Sequence, residues 1–238
     1  MKKAELESTD IFNTTRWSVV LGAWEGNPED QMTQLNVLAR AYWDPLMIYA
    51  KSLNKPPVEP EDLVQSFFEK ILQRESFGEI SPDRGRFRAF LLRSFRNHVT
   101  DVARKKSRAK RGGKTQVLPL SEIADPPGPD EAPGSQFDRA WAHTLMNIVL
   151  DRLRASYYQS DKQALYDTLH PYLNGGPNLP TYEEKAAELN MTRGAVVMSV
   201  RRMRDKFGVI LREEVGKTVA SPSDINEEMA YLLGAITE

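Results

Sequence analysis

The chain has 238 residues, enough for one large or two small domains, and it contains no cysteine, which excludes disulfide bonds and thiolate metal sites. Its net charge is only −1, yet eleven Lys and Arg residues and one acid, Asp101, lie between Arg84 and Arg111. This asymmetry predicts a surface that binds a polyanion, although a solvated helix face is the alternative. Because no apolar run reaches ~18 residues and the N-terminus lacks the apolar segment of a secretion signal, we expect a cytoplasmic protein without membrane association.

Helical spacing of apolar residues dominates, and strand alternation is hard to find, so the sequence predicts an all-α fold. A short helix is expected from Thr14 to about Trp24, and a longer one from Gln31 to Leu53, ending before Pro56-Pro57. Pro60 is predicted to begin a third helix, and Glu61 and Asp62 stabilise its start because their negative charges lie near the positive end of the helix dipole. The expected buried side consists of Leu63, Phe67 and Ile71, and the opposite side of Asp62, Gln65, Glu69 and Gln73.

The basic segment after Ser81-Pro82 is predicted to form an amphipathic helix. Its apolar arc consists of Phe87, Phe90, Leu91, Phe95, His98, Val99 and Val102, and the opposite arc of Arg93, Arg96, Asn97, Thr100 and Arg104. We therefore predict that the aromatic residues are core residues rather than platforms for stacked bases. His98 is likewise expected to be a satisfied core histidine.

Residues 112–136 contain five prolines and several acids, a composition that predicts an extended linker. Helices are expected again from Phe137 to Leu153 and from Lys162 to Leu169, before Asn174–Pro177 breaks the chain. Thr181 and Glu184 predict a capping box, and Thr192 is expected to cap a longer helix after a tight turn at Leu189-Asn190. This is the layout of a helix-turn-helix, whose second helix enters the major groove, although an ordinary helical hairpin has the same pattern. The predicted exposed side of that helix carries Arg193, Val197, Met198, Arg201 and Arg202; Val196, Val200, Met203, Phe207 and Ile210 face inward.

Residues 216–238 predict a C-terminal amphipathic helix that begins at Ser221-Pro222. Because so short a helix is marginal alone in water, its apolar stripe is expected to be buried. We favour packing on the helices of the second domain. The alternative is reversible docking that masks a DNA- or polymerase-binding surface. The stripe consists of Ile225, Met229, Leu232, Leu233 and Ile236.

Three of these segments, in this order, resemble sigma factors of the extracytoplasmic-function (ECF) group of the sigma-70 family. Glu61–Phe68 resembles the helix that binds core RNA polymerase, and Phe87–Asn97, with Asp101 and Arg104–Lys106, resembles the helices that melt and read the promoter. Thr181–Arg204 is similar to the C-terminal helix-turn-helix. The motifs Thr15–Ser18 and Ala41–Trp43 are similar to a subgroup with long C-termini that is frequent in planctomycetes.

The resemblance implies two small helical domains and no enzymatic activity, cofactor or metal. It divides the chain into a region-2-like domain (12–111), the linker (112–136), a region-4-like domain (137–215) and the extension (216–238). It implies that core polymerase binds Asp62, Gln65 and Glu69. The non-template single strand of the promoter would contact Arg93, Arg96, Asn97, Thr100, Arg104, Lys105, Lys106 and Arg108, and the promoter duplex Arg193, Val197, Met198, Arg201 and Arg202. Control by an anti-sigma protein and intramolecular control by residues 216–238 both stay open.

Two other classes of protein, a nucleotide-binding enzyme and a transcriptional regulator, share features with this sequence. Gly112–Thr115 ends like a P-loop, but Arg108 stands where that motif needs its first glycine, and no strand precedes it. A helix-turn-helix regulator that acts without polymerase is the serious alternative. Such a regulator would not need the polar stripe of Asp62, Gln65 and Glu69.

Overall fold

The computed structural model describes residues 28–72, 86–110, 135–219 and 221–237, which contain eight α-helices and no strand. The all-α prediction is thus confirmed. The predicted helix at 14–24 and nearly all of the predicted linker lie outside the described residues. No described helix is long and apolar enough to cross a membrane. The helices are α1 (Pro28–Ser52), α2 (Pro60–Leu72), α3 (Phe87–Lys110), α4 (Ser135–Tyr158), α5 (Gln163–Leu169), α6 (Tyr182–Glu188), α7 (Arg193–Gly216) and α8 (Ile225–Thr237).

The described residues fall into two compact units. The first contains the residues up to Thr144 together with those from Val215 onwards, and the second contains Leu145–Glu214. Helix α4 therefore begins in the first unit and ends in the second, whereas α7 begins in the second and ends in the first. The C-terminal helix α8 belongs to the first unit.

The core of the first unit is built from aromatic side chains of α1, α2, α3 and the start of α4. Tyr42 stacks on Trp141 with ring centroids 4.5 Å apart, and Phe67 meets Phe95 edge to face at 5.1 Å. Phe87 and Phe95 are fully buried, which confirms that these aromatic residues of the basic helix are core. Such residues dominate core energetics because each buries a large apolar area.

Hydrogen bonds between residues close in sequence define the helix ends of the second unit. The hydroxyl of Thr181 accepts from the backbone N–H of Glu184, whose carboxylate accepts from the backbone N–H of Thr181, so the predicted capping box is confirmed. Asn190 adopts a left-handed φ of 50°, and the N–H of Met191 donates to the carbonyl of Ala186, as expected of a helix end closed by such a residue. The predicted tight turn between α6 and α7 is therefore confirmed.

The C-terminal helix contacts residues of both predicted domains, not only the second one on which it was expected to pack. Glu228 of α8 contacts Arg88 of α3, in the predicted domain 12–111, and Tyr231 contacts Asp138 at the start of α4, in the predicted domain 137–215. The carbonyl of Thr218, just before α8, accepts from the N–H of Phe87 at 2.9 Å. The physical reason is ionic: α8 presents carboxylates to arginines at the start of α3. Its apolar stripe is only partly buried, since Leu232 is buried but Leu233 is 45% exposed.

Candidate polymerase and nucleic-acid interfaces

Helix α2 presents one polar face to solvent. It begins at Pro60 with Glu61 and Asp62 in its first turn, and Leu63, Phe67 and Ile71 are buried as predicted. Asp62, Gln65 and Glu69 are all exposed, and the Gln65 side-chain amide donates to the Glu69 carboxylate at 3.0 Å. The predicted stripe therefore exists as an exposed acidic surface on a helix whose opposite face is anchored in the core. Gln73 lies outside the described residues.

Helix α3 presents the basic surface. Its buried arc contains Phe87, Leu91, Phe95, His98 and Val99, whereas Phe90 and Val102 are half-buried. On the other arc, Arg93, Asn97 and Arg104 are exposed, and Arg96 and Thr100 are half-buried. Lys105, Lys106 and Arg108, in the last turns of the helix, are exposed as well. The face is therefore strongly cationic, because the one acid in the helix is Asp101.

Two of these cations are held in place by neighbouring groups. The Arg96 guanidinium donates to the Tyr49 hydroxyl at 3.0 Å and lies over the same ring, and the Lys106 ammonium donates to the carbonyl of Pro57. Thr100 donates to the carbonyl of Arg96 rather than outward. Positioned cations lose less side-chain entropy when they bind phosphates, so these contacts favour the surface as a polyanion site.

Asp101 reduces the charge of this surface less than its position suggests. Its carboxylate lies 3.2 Å from the Lys70 ammonium of α2 and 4.0 Å from the guanidinium of Arg104. Because Lys70 is the closer partner, Asp101 joins α2 to α3 and leaves Arg104 half-exposed towards solvent.

His98 is a core residue, as predicted, but its hydrogen bonding is only half satisfied. Its Nε2 lies 2.9 Å from the Ser66 hydroxyl, whereas the buried Nδ1 has no hydrogen-bond partner. Burial, followed by the positive charge of Lys70, lowers the pKa of His98 to about 4. The imidazole is therefore neutral at neutral pH, and it adds no charge to the basic surface.

Sequence reasoning missed one buried ionic cluster, which surrounds Arg88. Its guanidinium Nε lies 2.6 Å from Glu228, another of its nitrogens contacts Asp138, and Tyr231 donates to the same Asp138 at 2.7 Å. Burial alone would lower the pKa of Arg88, but the hydrogen bond to Glu228 and the charges of both carboxylates raise it above its ordinary value. The spacing contained the signal: Arg88 precedes Leu91, Leu92, Phe95 and Val99 by 3, 4, 7 and 11 residues, which places it on the packed face.

The exposed side of α7 carries the predicted residues, with different degrees of exposure. Arg201 and Arg202 are exposed, Met198 is 45% exposed, and Val197 is half-buried. Arg193 is exposed but paired with the carboxylate of Glu183 in α6. The buried side consists of Val196, Val200, Met203 and Ile210, with Phe207 half-buried. This face therefore offers two arginines and a methionine to a partner, with a third arginine available once its ion pair opens.

Helices α2 and α3 together define a class of structure: an all-helical fold that carries an exposed acidic stripe on one helix and a basic surface on the next. The family model Sigma-70 region 2 matches residues 38–109, which span most of α1, all of α2 and nearly all of α3. The match covers 72 of the 238 residues and shows that this part of the chain is similar to region 2 of the sigma-70 family. No curated protein and no solved structure matches the chain significantly.

Proposed function

We propose that the chain is a sigma factor of the ECF group, which binds core RNA polymerase and directs transcription initiation at its promoters. The observation that carries the proposal is the coincidence of the Sigma-70 region 2 match with α2 and α3, whose outer faces carry the acidic stripe and the basic surface. The family binds core RNA polymerase and promoter DNA. In this chain, Asp62, Gln65 and Glu69 bind the polymerase.

The basic surface of α3 holds the non-template strand after melting. Arg and Lys neutralise phosphates at little cost because they are already exposed and partly positioned, and Asn97 offers an amide for hydrogen bonds to extruded bases. The contacting set is Arg93, Arg96, Asn97, Thr100, Arg104, Lys105, Lys106 and Arg108.

The second unit reads promoter duplex in this proposal. The confirmed capping box and tight turn support a helix-turn-helix, and Arg193, Arg201 and Arg202 supply contacts to phosphate or guanine. Val197 and Met198 contact thymine methyl groups, which lack hydrogen-bonding capacity. A helix-turn-helix regulator that acts without polymerase is the second candidate, favoured by the same turn.

The test is co-purification with polymerase. Asp62→Lys/Glu69→Lys reverses two charges on the stripe and should abolish recovery of core polymerase while the helical circular dichroism is retained. The matched control, Asp44→Lys/Asp151→Lys, reverses two exposed acids on α1 and α4 and should bind as the parent chain does. Equal recovery of polymerase by the stripe variant and the control would favour the regulator instead.

A further inference from the structure

Two arginines at the start of α3 are occupied by carboxylates of the C-terminal helix. The Arg86 guanidinium lies 2.5 Å from Glu227 and 2.9 Å from Glu228, and the Arg88 guanidinium lies 2.6 Å from Glu228. The Arg88 side chain is only 6% exposed, although Arg86 keeps 27%. The C-terminal helix thus neutralises two of the eleven cations in the basic segment.

Arg86 is in register with the basic surface of α3. It precedes Arg93, Asn97, Thr100 and Arg104 by 7, 11, 14 and 18 residues, spacings that return to one side of a helix with 3.6 residues per turn. A guanidinium at this place therefore extends the basic surface of α3 by two turns towards the start of the helix. In the structure, the carboxylates of Glu227 and Glu228 lie at this end of the basic surface.

The attachment of α8 to the first unit is mostly polar. Among its 13 residues only Glu228 and Leu232 are buried, whereas Tyr231 and Leu233 are 44% and 45% exposed. Its polar contacts include the arginine pairs, the hydrogen bond from Tyr231 to Asp138 and one from Arg139 to the carbonyl of Ala235 at 3.3 Å. The Arg86–Glu227 pair is partly exposed, so salt weakens it and a competing polyanion can replace the carboxylate, whereas the buried Arg88–Glu228 pair is screened much less.

We propose that Arg86 forms a phosphate-binding site for single-stranded DNA, which Glu227 and Glu228 of α8 occupy in the free protein. The guanidinium fork binds carboxylate and phosphate in the same bidentate geometry, so a backbone phosphate can take the place of the carboxylates. Strand binding displaces α8, and the charge freed on Arg86 adds to that of the basic surface, whereas Arg88 stays paired with Asp138. The proposal rests on the proposed function of α3.

The first experiment compares the binding of single-stranded DNA by full-length chains without polymerase, over a range of salt. Glu227→Gln/Glu228→Gln removes both carboxylate charges without changing side-chain size. It should tighten binding and steepen the log–log salt slope by about 0.7, the contribution of one phosphate contact with a single strand. The control, Glu188→Gln/Glu213→Gln, makes the same change in net charge at exposed carboxylates paired with Lys185 and Arg152. A slope equal to that of this control would overturn the proposal.

The second experiment uses the parent chain, so its result does not depend on whether the variant Glu227→Gln/Glu228→Gln folds. Hydrogen exchange of the parent chain is measured with and without saturating single-stranded DNA. Exchange in Ile225–Thr237 should accelerate on binding, because α8 is released. Unchanged or slower exchange there would mean that α8 is a permanent part of the first unit, and the proposal would be wrong.

The variant Arg93→Ala/Arg96→Ala/Arg104→Ala separates this proposal from the proposed function. If it lowers the salt slope while Glu227→Gln/Glu228→Gln leaves the slope at the control value, α3 binds the strand and only the masking is wrong. If the triple variant leaves the slope unchanged, the assignment of α3 as the strand-binding surface fails first.

Discussion

Helices α3 and α7 have the same length, 24 residues, and each buries one charged side chain close to one end. In α3 it is Arg88, the second residue; in α7 it is Glu214, in the last turn. Both charges oppose the helix dipole, which disfavours a cation near the N-terminus and an anion near the C-terminus. Local preference would therefore place neither residue where it lies. In both helices a tertiary ion pair overrides the local preference.

The two ion pairs differ in how far they are removed from water. Arg88 and its partners Asp138 and Glu228 have side chains that are 6%, 10% and 0% exposed. Glu214 is equally buried, but its partner Arg152 is 24% exposed and also reaches the exposed Glu213. Removing one member of a fully buried set leaves an uncompensated charge in low dielectric, whereas water can reach part of the second pair. The comparison therefore predicts that replacing each arginine by alanine lowers the free energy of unfolding by unequal amounts.

The largest effect is expected from Arg88→Ala, which should lower the free energy of unfolding by about 3–5 kcal/mol because it removes the buried cation that lies between the two buried carboxylates of Asp138 and Glu228. Arg152→Ala should cost less, about 1–3 kcal/mol, because solvent partly replaces the guanidinium. Urea unfolding measures both. Arg93→Ala, at an exposed position of α3, is the control and should stay within about 0.5 kcal/mol of the parent chain. Equal losses for the two ion-pair variants would break the comparison.

A second difference is that α3 buries a titratable histidine, whereas α7 contains no histidine. The folded pKa of His98, about 4, is below the ordinary value of 6.5, so the unfolded chain binds more protons between these values. The protein therefore keeps its full stability with a neutral His98 above about pH 6.5, and it loses stability as the pH falls towards 4. The loss should amount to about 3 kcal/mol for a shift of this size.

The measurement is the change in unfolding free energy between pH 7 and pH 4, compared between the parent chain and His98→Gln. The variant should lose less stability on acidification, because its side chain does not titrate. His143→Gln, at an exposed position, serves as the control and should behave as the parent chain does. If His98→Gln and the control show the same acid dependence, the buried neutral imidazole is not the source of the effect.

The contrast between local and distant interactions explains which parts of the structure could be predicted from the sequence. The ends of α6 and α7 depend on residues three to five positions apart, so Thr181, Glu184 and Asn190 were sufficient to predict them. Periodicity likewise predicted the buried faces of α2, α3 and α7. The position of α8 depends on Arg88 meeting Asp138 and Glu228, which are 50 and 140 residues away. No periodicity encodes so distant a pairing. Apolar spacing alone therefore favoured the second domain and missed the contacts of α8 with α3.

The smallest effect concerns how the two helices begin. The N–H of Phe87, at the start of α3, donates to the carbonyl of Thr218 in the C-terminal segment, whereas the N–H of Ala195 in α7 donates to the hydroxyl of Thr192 at 3.2 Å. The start of α7 is therefore capped by its own sequence. Thr192→Ala should cost about 1 kcal/mol in urea unfolding, since the cap hydroxyl is lost and the N–H of Ala195 must find water.

Thr192→Ser retains a hydroxyl at the same place and should lie within about 0.5 kcal/mol of the parent chain. Amide exchange gives a local check, because Ala195 should exchange faster in Thr192→Ala, while Phe87, whose N–H donates to the carbonyl of Thr218 within the first unit, should not change. If both substitutions at Thr192 proved neutral, α7 would not depend on its local cap. The start of α7 would then need tertiary support as the start of α3 does, and the difference between the two helices would narrow to their buried charges.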